Sequence, residues 1–86
     1  FSGQEQLELH SIEVKRNPLL MGIKIENIRF EDFNIQIQYL RRPNMLENID
    51  PRPDIILDDG DILVILGLQQ NINHFEKYIS SGKIIS

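Results

Sequence analysis

Residues 54–67, Asp-Ile-Ile-Leu-Asp-Asp-Gly-Asp-Ile-Leu-Val-Ile-Leu-Gly, constrain this chain more than any other segment. They read as a tight acidic turn feeding a short strand. In a strand, successive side chains point to opposite faces, so Ile62, Val64 and Leu66 face one way and Leu63 and Ile65 the other. No face is left for water. Such a strand lies centrally in its sheet or is covered by a partner. Gly60 is expected to take the positive φ of the turn. Asp61 can accept from local backbone N–H groups, while Asp58 and Asp59 stay in water.

The rest of the composition narrows what surrounds that strand. At 86 residues the chain makes one small domain, which buries only about 60–65% of its unfolded surface, so oligomerisation would help it. A hydrophobic fraction of 41% is ample for a globule and argues against disorder. No apolar run is long enough to cross a membrane as a helix. A net charge of −4 disfavours direct binding to nucleic acid. Cysteine is absent, which excludes disulfides, thiolate metal sites and a cysteine nucleophile, and fits a cytoplasmic protein. Residues 2–6 are polar, and 1–6 read as a linker at the edge of a fragment, with the domain itself spanning 7–86.

Along the chain, Leu7–Lys15 is strand-like, but Leu7 and Leu9 share one phase while Ile12 and Val14 take the other. A bulge or bend near His10-Ser11 is expected. Asn17-Pro18 can start a helix that Gly22 interrupts. A short helix over about 23–29 would bury Ile25 and Ile28, although β-branched residues make it weak. Glu31–Asn34 is a turn. Ile35, Ile37 and Tyr39 alternate with Gln36 and Gln38, a strand with one wet face. Residues 45–50 could hold a short edge strand, and Pro51-Arg52-Pro53 is stiff and extended. After the doubly apolar strand, Asn71 or Asn73 can cap a final helix with Ile72, Phe75 and Ile79 on one stripe, stopped by Ser80-Ser81-Gly82. The order β-α-β-β-β-α gives an α+β domain with helices on one face of a small mixed sheet.

Chemistry is sparse. His10 and His74 lack metal-site spacing, and Asp54, Asp58, Asp59 and Asp61 do not match a calcium loop and read as solubilising turn residues. There is no phosphate-cradling glycine motif and no nucleophile-plus-base pair. The chain is therefore expected not to be an enzyme, and no cofactor or metal is called for. Arg29 and Arg41-Arg42 are the remaining candidates. They are either exposed charges answering Glu26, Glu31 and Asp32, or an anion site in which a guanidinium forks onto phosphate or carboxylate.

Several residues, taken in order, resemble a known family. Pro51, Pro53-Asp54, Leu57, Gly60-Asp61, Leu63-Val64 and Gly67 are similar to the signature of the RCK C-terminal domain, also called the TrkA C-terminal domain. Upstream, Ile12-Glu13-Val14, Asn17-Pro18-Leu19, Gly22-Ile23-Lys24-Ile25 and Ile28 follow that family's strand, turn and helix, and Tyr39-Leu40-Arg41 stands at its strand end. The likeness runs from Leu7 to about Ile79. It departs at Ile23, in the usual lysine slot, at Phe33-Asn34, where a glycine is usual, and at Arg42-Pro43-Asn44, which lacks another.

The resemblance implies a cytoplasmic regulatory, ligand-sensing and dimerisation domain of a bacterial potassium channel, potassium uptake system or cation/proton antiporter. It implies a homodimer working with the membrane transporter part of the same or a partner chain. Some members bind cyclic di-AMP across the dimer cleft, and that compound or another small anion is the implied ligand. By position, Ile28, Arg29, Gln36, Ile37, Pro51 and Pro53 would line the cleft; at the position of Gln36, ligand-binding members often carry Asn. From the doubly apolar strand, Leu63 and Ile65 are expected at or near the dimer interface. The alternatives are the effector domain of a DNA-binding regulator and a dimerisation module without a ligand.

Overall fold

The computed structural model describes residues 6–81. Its order is β1 (Glu8–Glu13), four 3₁₀ turns, β2 (Gln36–Arg41), β3 (Ile62–Gly67) and α1 (Gln69–Ser80). The α+β class expected from the sequence is what the fold shows. The sheet has three strands in the order β1-β3-β2 and is antiparallel throughout, not mixed. β3 is the middle strand, as its two apolar faces require. The fourth strand reduces to one bridge, in which Ile49 and Leu40 exchange both backbone hydrogen bonds at 2.8 and 2.9 Å.

Opposed residues on antiparallel strands share a face, so the pairing sorts the sheet into an inner and an outer side. Inward lie Ile12, Leu63 and Leu40, then His10, Ile65 and Ile37. All of these but His10 join Ile72, Phe75 and Ile79 of α1 in a single core with Leu20, Ile25, Ile28, Phe30, Ile55 and Leu57. Outward lie Leu9, Leu66 and Gln36, then Ser11, Val64 and Tyr39, then Glu13, Ile62 and Arg41.

Three local expectations need correction. The phase slip in β1 is no bulge: its register with β3 is unbroken, and Leu7 and Leu9 are simply exposed, each 63%. The bulge lies instead in β2, where the pairing steps from Ile37 to Tyr39 and leaves Gln38 over. Ile37 and Tyr39, two apart and nominally in phase, therefore end on opposite faces. The helix expected over 23–29 is replaced by one 3₁₀ turn, Ile25–Asn27, consistent with the poor propensity of its β-branched residues, and a second, Phe30–Phe33, falls on the turn expected at Glu31–Asn34.

Gly60 is not at positive φ. Among the described residues that conformation belongs to Gly22, Asn34 and Asn44. The two asparagines stand in the segments where the family pattern carries glycine, and asparagine is the non-glycine residue that best tolerates it. α1 starts at Gln69, earlier than either candidate cap, with Leu68 at the N-cap position and no side-chain cap. The stop at Gly82 and the linker at residues 1–5 lie outside the described residues.

Candidate functional site

Residues 22–26 run antiparallel to residues 53–57. Gly22 N–H donates to the Leu57 carbonyl (2.8 Å), Leu57 N–H to Ile23 (2.9 Å), Ile25 N–H to Ile55 (2.9 Å) and Glu26 N–H to Pro53 (3.0 Å). This pairing brings the proline segment alongside the 3₁₀ turns. Between them lies an open groove of about 580 Å³ with Ile28, Arg29, Pro51 and Pro53 in its walls. Phe30 anchors the next turn by stacking on Phe75 of α1, ring centroids 5.3 Å apart, and Phe33 meets the same ring edge-on at 5.7 Å. The groove wall is thus clamped to the C-terminal helix.

Of the six residues assigned to a cleft from the sequence, four meet here and two do not. Gln36 lies on the outer sheet face, beside a second hollow of about 300 Å³ formed with Leu7, Asn34 and Leu66. Ile37 faces inward and packs against the core. Glu31 lines both hollows, so the groove and the outer sheet face adjoin at that residue. Leu63 and Ile65, expected at an interface, are fully buried. They occupy the inward phase of β3, while the outward phase is Ile62, Val64 and Leu66.

The groove is acidic for an anion site. Arg29 stands among Glu26, Glu31 and Asp32, and its Nη1 lies 3.7 Å from Asp32 Oδ2. Both side chains are largely exposed, so that pair contributes little, and an incoming anion would displace it at small cost.

A feature the sequence reading missed lies at the acidic turn. Asp61 is 2% exposed. Its Oδ2 accepts from Asp58 N–H at 2.8 Å, and its Oδ1 from Arg42 Nε at 3.2 Å. Arg42 also donates from Nη2 to the Ile56 carbonyl at 3.0 Å. Asp61 is therefore an organising residue and not a solubilising one, and Arg42 is committed to structure. The signal was an aspartate directly abutting an all-aliphatic strand. His10 of β1 is half-buried, with Nε2 3.1 Å from Glu76 Oε2 of α1. No cluster of metal-ligating residues occurs among the described residues.

Comparison with known proteins places this geometry. No curated protein matches the chain. Among solved structures, a chain described as "GsuK channel bound to NAD" is similar, with a TM-score of 0.66 and 21% identity. The match covers 87% of this chain and 13% of that one, so this chain spans about an eighth of the channel protein's length and shares its fold there. Residues 9–80 match the TrkA-C domain family, from the first strand through the final helix. On that match, the chain belongs to the TrkA-C domain family.

Proposed function

We propose that this domain is a non-catalytic regulatory module of a bacterial potassium or cation transport protein, acting at the cytoplasmic face of the membrane. It would work as a homodimer that senses a small anionic ligand. One observation carries the reading: Ile28, Arg29, Pro51 and Pro53, separated by more than twenty residues in sequence, line one groove. Ile28 and the prolines supply apolar walls for a base, and the Arg29 guanidinium can hold phosphate oxygens bidentately. Family membership and the fold shared with a potassium channel protein support the transport setting. The ligand would act by binding one arrangement of the two copies better than another, and it could shift the gate by no more than that difference.

Isothermal titration with cyclic di-AMP tests this directly, with NAD, named for the GsuK channel, as a second nucleotide. The expected result is micromolar binding of cyclic di-AMP that Arg29→Ala abolishes. No heat and no thermal shift at high micromolar cyclic di-AMP would sink the dinucleotide reading. Binding undiminished in Arg29→Ala would remove Arg29 as the anchor.

A further inference from the structure

We propose that an open hollow at the acidic turn docks a Lys/Arg-rich amphipathic segment, one that flanks a membrane span of the transport protein. This rests on the transport reading above for the source of the segment, and not on the ligand. The hollow holds about 590 Å³ and shares no lining residue with the Arg29 groove. Its walls come from residues 21–22, 42–45 and 56–61. These walls are fastened to one another. Gly22 N–H donates to the Leu57 carbonyl, Arg42 spans from Asp61 to the Ile56 carbonyl, and Pro43 lies against Gly60. The hollow is therefore preformed.

Its rim is apolar and open. Met21, Met45 and Ile56 are 47%, 57% and 52% exposed, and Leu46, next to Met45 in the chain, is fully exposed. The chain has two methionines, and both stand exposed in the walls of this hollow. Methionine is ordinarily among the buried residues. On a surface, its unbranched and polarizable side chain adapts to the shape of a partner. Apolar side chains gathered round a preformed hollow mark an interaction site.

Charge says which partner fits. Residues 42–61 carry six acidic and two basic side chains, and so hold the whole of the chain's net charge of −4. At the hollow, Arg42 is matched by Asp61 at 3.2 Å, and Lys24, bridged to Ile56, has Glu26 at 4.0 Å. Asp58 in the wall and exposed Asp59 beside it have no ion-pair partner among the described residues. An apolar hollow with an unanswered acidic rim suits a helix with aliphatic side chains at i, i+3 and i+4, flanked by Lys or Arg. Membrane proteins carry such basic segments, because their short cytoplasmic loops next to the spans are enriched in Lys and Arg. A second copy of this chain fits poorly. An isologous contact would set the same acids against each other.

Fluorescence anisotropy with the 86-residue chain is the first test. The probe is a synthetic helical peptide of about 18 residues, or about five turns, with Leu on one stripe and Lys on the other face. Its control has the same composition in scrambled order. The striped peptide should bind at micromolar concentration, and the scrambled one about tenfold more weakly. Met45→Glu adds a negative charge but removes apolar surface, which separates the two causes. It should weaken binding about tenfold, while Met45→Leu should stay within about threefold of wild type. Asp59→Lys should also weaken binding about tenfold and reduce its salt dependence. Circular dichroism checks that each variant is folded. In membranes holding the full transport protein, a photocrosslinker on Met45→Cys should capture a Lys/Arg-rich segment beside a span; capture of any other region would overturn the proposal. So would no binding at high micromolar peptide, equal binding of the scrambled control, or Met45→Glu binding as tightly as wild type. Self-association that Met45→Glu removes would give the hollow to a second copy and overturn the proposal as well. Arg29→Ala should keep the peptide, and Met45→Glu should keep whatever nucleotide the groove takes. Loss of the ligand reading and loss of this one are thus told apart.

Discussion

Gly60 is held in its turn by a different cause from the one its sequence suggests. Its backbone is not left-handed, yet a Cβ there would come within 2.6 Å of the Pro43 ring carbon Cγ. The turn is therefore defined by close approach to a loop seventeen residues upstream, which no local pattern reveals. Gly60→Ala should cost about 1–3 kcal/mol through overpacking. Pairing it with Pro43→Ala should recover most of the loss in thermal melts. A double variant no more stable than Gly60→Ala would return the cause to the turn's own backbone. Asp61 teaches the same lesson. Its local bond to Asp58 N–H was foreseeable, but its near-complete burial and its pairing with Arg42 were not. The partner arrives from the end of another strand.

At the scale of elements, what the sequence revealed followed periodicity. The doubly apolar strand and the Ile72, Phe75, Ile79 stripe stand where the pattern placed them, and the alternating strand forms where expected but with Ile37 and Tyr39 on opposite faces. The bulge at Gln38 left no trace, since Ile35 to Tyr39 alternate without a fault. Only pairing with β3 exposes the extra residue. A testable consequence is that deleting Gln38 should preserve every pairing of β2, with Ile37 still opposite Ile65 and Tyr39 opposite Val64. The shortened protein should fold with a stability change of about 1 kcal/mol or less, as checked by denaturant titration. Unfolding would show that the bend, and not the count, is what β2 needs. The candidate groove was legible in part. Ile28, Arg29, Pro51 and Pro53, named from the resemblance, line one groove, whereas Gln36 lies on the outer sheet face and Ile37 on the inner one; no sequence pattern says which sheet face adjoins a loop.

On the scale of the whole molecule, the controlling fact is that β1 and β2 are not neighbours in the sheet; the strand that joins them is β3. Leu63 and Ile65 sit between Ile12, Leu40 and α1 as the common centre of the core. A fragment ending at Asp59 would hold two edge strands with no middle and no helix to cover them. It should show no sheet by circular dichroism, and a peptide of residues 61–81 should restore structure when added. A folded fragment would mean that the turns 14–33 form a core of their own. The late position of the middle strand also sets a schedule during synthesis. At about 5–20 residues per second, the first strand leaves the ribosome seconds before its only partner exists. Through that interval Leu7, Leu9 and Ile12 travel as an unpaired apolar segment. Folding of this domain is thus timed by the arrival of its last third, and a nascent chain paused before Ile62 is a client for a chaperone.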